Sequence, residues 1–258
     1  MIAIAREFVV LDFFLFNAHK GAQTEDGASP APRALSRELT DALIERKRAD
    51  PGMQVLVITD PINDVYGASP APHFERLRTE GIDVVRTDLG LLRDPNPAWS
   101  SFWRLALGWW LDVLDARWLP HPFEPPGATA TPGAWARLAN FKANHRKVLL
   151  ADDGRGGLTG LVTSANPHDA SGAHSNVAMR LSGAVLEPLL ASELAIAGFS
   201  GWAGAIRRGG GVSSPMVRTA VPSSRDAPVS LPDVADGRVV AARVLYMEIG
   251  RASCRERV

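Results

Sequence analysis

The apolar positions of this chain fall into short runs separated by amphipathic stretches. Phe8-Val9-Val10-Leu11-Asp12-Phe13-Phe14-Leu15-Phe16 is almost continuously apolar and predicts a buried strand over 8–16. Residues 34–49 place Leu35, Leu39, Leu43 and Ile44 at helical spacing with charges between them, which predicts an amphipathic helix. A strand over 53–59, a turn through Asp60-Pro61-Ile62-Asn63, a helix over 74–80 ended by Gly81, and a strand over 82–86 follow. Strand and helix in alternation predict an α/β layer structure with some parallel pairing.

The second stretch is more uneven. Residues 98–119 carry Trp99, Trp103, Trp109, Trp110 and Trp118 and read as a helix whose indoles pack in the core. A Pro/Gly-rich connection spans 120–132. Strands are predicted over 147–151, 160–164 and 176–181, and a helix over 184–197. The expected fold is α/β: a mixed, largely parallel sheet flanked by helices on both faces. Residues 1–200 would form this unit, and the Gly/Ser/Pro-rich stretch 201–247 a linker with the start of a second half. Residues 248–258, without periodicity and holding Cys254, would be a tail foreign to the fold.

Composition narrows the field. The 258 residues are 46% hydrophobic, enough for a sizeable core, and 28 basic residues balance 28 acidic ones. Zero net charge argues against an electrostatic grip on nucleic acid spread over the whole surface. One cysteine excludes a disulfide framework and a multi-cysteine metal site. No run reaches the roughly 18 apolar residues of a spanning helix, and the N-terminus lacks the order of a signal peptide. Because the chain enters its core by residue 8, residues upstream are expected to be missing.

The chemistry concentrates in His145-Arg146-Lys147-Val148-Leu149-Leu150-Ala151-Asp152, which reads H-x-K-x4-D, followed by Ser164-Ala165-Asn166. The first three positions alone would match by chance in roughly one or two chains per hundred of this size, and the Ser and Asn offsets make the set far rarer. The two-residue strand period puts His145 and Lys147 on one face, and a turn after Asp152 leads to a strand that ends near Ser164 and Asn166. His168 and His174 follow on an irregular loop whose spacing fits no strong metal-ligand pattern, so loop roles are expected for both.

On these residues the chain resembles the phospholipase D superfamily and, within it, the bacterial cardiolipin synthase-like branch. Asp60-Pro61-Ile62-Asn63-Asp64-Val65-Tyr66-Gly67, Arg93-Asp94-Pro95-Asn96-Pro97 and Asn140-Phe141-Lys142-Ala143-Asn144-His145 also look like that branch, and the likeness covers roughly residues 6–245. Two features depart from it: Thr163 stands where a Gly usually precedes the Ser, and the chain holds no second H-x-K. The resemblance implies phosphodiester cleavage or phosphatidyl transfer through a phosphohistidine, with no metal and no cofactor. His145, Lys147 and Asp152 would form the catalytic set, Asp152 as a structural support rather than a base. Ser164, Asn166 and Asn176 would bind phosphate or steady the ring. The partners implied are a phospholipid or other phosphodiester substrate, a membrane surface, and a second half-site from a further stretch of chain or a homodimer partner. A bacterial, cytoplasmic-membrane-associated location goes with them. The rival readings are a nuclease-like phosphodiesterase working as a homodimer, and an inactive half-domain that binds phosphate esters.

Overall fold

The computed structural model describes residues 1–19, 33–108, 116–124, 126–173 and 175–208, together with the backbone of 243–247. The strands are β1 (Phe8–Phe13), β2 (Gln54–Thr59), β3 (Asp83–Arg86), β4 (Leu119–Pro120), β5 (Thr129–Ala130), β6 (Lys147–Asp152), β7 (Leu158–Thr163), β8 (Asn176–Ser182) and β9 (Arg243–Met247). The helices are α1 (Leu35–Ala49), α2 (Pro72–Thr79), α3 (Pro97–Ala106), α4 (Pro132–Ala139) and α5 (Glu187–Phe199). The main sheet runs β3-β2-β1-β6-β7-β8-β9, and β4 and β5 form a separate pair. β1, β2 and β3 are parallel neighbours, while the remaining neighbours pair antiparallel. Five of the seven strands therefore share one direction, with β6 and β8 reversed. The chain is α/β with a mixed sheet, as its pattern predicts.

β1 is central, and this explains its composition. All six of its residues are buried because helices cover both faces. Val9, Leu11 and Phe13 pack with Leu43 and Ile44 of α1 and Phe74 and Leu77 of α2. Phe8 and Val10 face Leu190 and Leu194 of α5 on the other side. The odd and even residues of β6 divide the same way, Leu149 and Ala151 toward α1, Val148 and Leu150 toward α5. The carboxyl ends of β1, β2 and β7 and the amino ends of β6 and β8 thus gather at one end of the sheet.

Several boundaries differ from expectation. β1 stops at Phe13: Phe14 N makes one last bond to Arg146 O, and the chain then turns away, with Phe14 O, Phe16 N and Asn17 Nδ2 held by Asn63. Within the Trp-rich stretch helix is described only for Pro97–Ala106, and Trp109 and Trp110 lie outside the described residues. Trp103 is buried, but Trp99 and Trp118 are 37% and 65% exposed, which corrects the core reading for those two. Their neighbours Phe102 and Leu105 are also exposed, so α3 turns an aromatic edge outward. α4 was hidden among Pro and Gly. Pro132 occupies its first turn and Thr131 caps it, accepting from Ala134 N at 3.1 Å. The first residues of the expected linker dock on the sheet: Gln54 bonds Ala205 O and Arg207 N, and Trp202 Nε1 donates to Asp83. Residues 248–258 fall outside the described residues. Among the described residues no helix is long and apolar enough to cross a membrane.

Gly160 of β7 marks the tightest point of the α5 face. A Cβ there would sit 2.8 Å from Leu186 Cδ2 and 2.9 Å from Leu150 Cδ2. Gly160→Ala is therefore expected to destabilise the fold by about 1–3 kcal/mol through overpacking. Urea unfolding should show a lower midpoint, and an unchanged midpoint would contradict this packing.

Candidate functional site

His145 lies two residues before Lys147, the first residue of β6, in a loop held from both sides. On its N-terminal side Asn144, 3% exposed, donates its backbone N–H to Asp60 Oδ2 at 2.6 Å. Its Nδ2 donates to both carboxyl oxygens of Asp12 at 2.9 Å and to Thr87 Oγ1 at 3.0 Å. On the C-terminal side Arg146 Nη1 donates to Glu193 Oε1 and to Ser192 Oγ, each at 2.9 Å. The three sequence segments quoted beside the motif converge here. Asp60 ties the turn of 60–63 to Asn144, and Lys142 Nζ reaches Asp94 Oδ1 at 3.0 Å. Trp99 and Trp103 donate to Ala139 O and Ala136 O, satisfying the end of the helix that leads into the loop.

Two acids under this loop went unnoticed in the sequence. Asp12 and Glu193 are each fully buried. Burial, and then the neighbouring charge of Glu193, push the Asp12 carboxyl far above the usual carboxylate range. Glu193 Oε2 meets no donor among the described residues unless Asp12 keeps its proton. Asp12 thus keeps its proton at neutral pH and turns it toward Glu193, whose Oε1 accepts from Arg146. Asp60 is raised to about 6 by burial, against the N–H groups of Ile62 and Asn144 that favour its charge.

The reactive groups stand at the rim. His145, Lys147 and Ser164 line an open cavity of about 560 Å3 together with Val162, Thr163 and Ser192. Lys147 Nζ is 3.3 Å from both ring nitrogens of His145, so the cation lies against the imidazole as a whole rather than on one lone pair. The Phe14 ring completes the stack, 4.5 Å from His145 and 5.4 Å from the ammonium. Burial, and after it the charge of Lys147, lower the pKa of His145; burial lowers that of Lys147. The ring is therefore neutral at neutral pH, the form that can attack an electrophile.

The other predicted site residues separate into distinct roles. Ser164 Oγ accepts from Val177 N at 2.9 Å and donates to Asn176 Oδ1 at 3.2 Å, so Asn176 stands one bond behind the hydroxyl. Asn166 does not line the cavity. Its Oδ1 accepts from Leu15 N at 3.1 Å and steadies the loop that carries Phe14. Asp152 stands apart from His145 and Lys147 and does not line their cavity. It ends β6, five residues and roughly 17 Å of strand beyond Lys147. Its carboxylate accepts from the backbone of Arg6, Glu7, Phe8 and Gly154. Burial opposes its charge, but those N–H groups outweigh it and hold its pKa below the usual range. His168 serves a loop, its ring between His19 O and Ser171 Oγ, and His174 is outside the described residues. Among the described residues no group of three or more His, Cys, Asp or Glu is placed to hold a metal ion.

The native state keeps a proton on Asp12 that the unfolded chain releases, so the unfolded state binds fewer protons and stability falls as pH rises above the carboxylate range. Asp12→Asn preserves a donor to Glu193 and an acceptor for Asn144. Urea unfolding between about pH 5 and about pH 8 should lose part of its slope in that variant; an unchanged slope would show that Asp12 is ionised. For His145 the sign is opposite to the usual gain of a partner. Its ring should titrate by NMR below about 6.5 and move upward in Lys147→Met. A ring that titrates at or above the ordinary value would contradict the stacked geometry.

No family model matches the chain, and no curated protein matches it either, so the chemistry of the site rests on its own residues and their geometry.

Proposed function

We propose that the chain is a phospholipase D-type phosphodiesterase or phosphatidyltransferase, similar to cardiolipin synthases, that works through a phosphohistidine on His145. The observation that carries this reading is the neutral imidazole of His145 with the Lys147 ammonium 3.3 Å away in an open cavity beside Ser164. A ring nitrogen attacks phosphorus, a P–N bond forms, and the bond from phosphorus to the departing alcohol breaks. Lys147 offsets charge on a non-bridging oxygen, and the Ser164 hydroxyl, released from Asn176, can donate to another. Water or an acceptor alcohol such as a phosphatidylglycerol headgroup then attacks phosphorus, and the P–N bond breaks. Asn144 and Arg146 act as positioning residues, since each fixes the backbone beside His145 to a buried acid.

The departing alkoxide needs an acid, and a positioned acid contributes about 10²–10⁴-fold. One H-x-K set cannot supply it while His145 is the nucleophile, so the reading requires a second set, from another copy or a further stretch of chain. A bacterial, membrane-associated setting belongs to the proposal; the outward aromatic side chains Trp99, Phe102 and Phe141, the last four residues from His145, support contact with lipid.

The test uses bis-p-nitrophenyl phosphate with a size-selected monomer fraction and with any dimer fraction. The monomer should be inactive, or slower by about 10²-fold or more, and the dimer active. Denaturing gels after a rapid quench should show a radiolabelled phosphoryl adduct on the wild type and none on His145→Ala. Monomer turnover abolished by His145→Ala would overturn the need for a second set. An active dimer that keeps full rate in His145→Ala would overturn the proposal itself.

A further inference from the structure

The opposite end of the sheet carries a second cavity, of about 710 Å3, which the catalytic reading does not use. That volume is within the roughly 300–1,000 Å3 of small-molecule sites. It forms where β6 ends, β7 begins and β8 ends, next to residues 3–6, and is walled by Arg6, Arg46, Arg155 and Arg180 with Thr159 and Ser182. One acid, Asp153, lines it, and Asp153 Oδ1 already accepts the backbone N–H groups of Arg155 and Gly157. Arg46 is shared between Ala5 O and Asp50. Among the described residues the guanidiniums of Arg6, Arg155 and Arg180 have no acidic partner. Thr159 lines the cavity and is 2% exposed, and its buried Oγ1 has no hydrogen-bond partner among the described residues. A buried hydroxyl left unpaired is rare and disfavoured, and a ligand oxygen would satisfy it. Gly154 lets the wall close: its φ is +73°, and a Cβ there would lie 3.0 Å from Ile4 O and 3.6 Å from Arg6 Nε.

We infer that this cavity is a binding site for a phosphate-bearing anion, gripped by Arg6, Arg155 and Arg180 and met at its floor by Thr159. Three guanidiniums without an acidic partner, against the one carboxylate that lines the cavity, make a local positive field in a chain whose total charge is zero. Planar guanidiniums match phosphate oxygens in bidentate fashion, where ammonium groups act as point charges. The site stands roughly 17 Å of strand from Lys147 and does not depend on the catalytic reading.

The experiment measures thermal unfolding of the full chain against pyrophosphate and against inorganic phosphate, at ionic strength matched with potassium chloride. A saturable rise in Tm is expected from phosphate or pyrophosphate. Arg155→Gln with Arg180→Gln, both on the exposed wall, should weaken it by about tenfold or more. Thr159→Val, close in shape, should weaken it too. His145→Ala with Lys147→Ala should leave it intact. In a parallel arm, co-sedimentation with phosphatidylcholine vesicles carrying phosphatidic acid tests a lipid source. Vesicle binding lost in the double arginine variant supports the site with a headgroup as ligand, and a soluble-phosphate response alone supports it with a free anion. Failure of both arms, or a response that survives the arginine changes or disappears with the His145 and Lys147 changes, overturns the inference.

Discussion

The loop that carries His145 depends on one buried carboxyl in the wrong place. Asp12 sits in the central strand, opposite Val148 in register, where every neighbouring position is apolar. An ionised carboxylate there would be strongly disfavoured, and even a neutral carboxyl needs hydrogen-bond partners. Both difficulties are answered by the same neighbours. Asn144 supplies two N–H contacts, and Asp12, keeping its proton, hydrogen-bonds to Glu193. The result is a polar knot between sheet, α5 and loop, with Arg146 closing it from the other side. Because each member satisfies another, removing one leaves the rest unpaired, which is how a few hydrogen bonds can hold an irregular loop to one conformation.

The parts of the fold with a strong period were legible. The 34–49 helix, the strand after it, and β6 and β7 stand within a residue or two of where apolar spacing put them, and β1 begins where expected but ends three residues early. The meeting of His145, Lys147 and Ser164 was legible too, since strand period and turn position decide it. Asp12 was not legible as a structural centre, because one acid in an apolar run looks like an interruption, and its partner Glu193 is 181 positions away with no local signal. Asn166 and Asp152 show a different limit. Spacing says which residues belong to one motif, but not which member faces substrate and which holds a neighbouring loop. The exposure of Trp99 and Phe102 was hidden because α3 is too short for its apolar face to be told from its outward one by sequence.

The two ends of β6 explain why the motif has its spacing. At the start, Phe13 pairs with Lys147, and Phe14 N donates to Arg146 O, so β1 ends beneath the reactive pair. At the other end Asp152 gathers the backbone N–H groups of Arg6, Glu7 and Phe8, where β1 begins. The β1–β6 ladder runs over the five pairs from Lys147 to Ala151, so Asp152 stands just past its last pair. One residue more or fewer between Lys147 and Asp152 would turn Lys147 to the opposite face while Asp152 stayed pinned, because side chains alternate every residue. Asp152 thus acts on chemistry through register: it fixes where the strand ends, and the ladder then fixes which face His145 and Lys147 share.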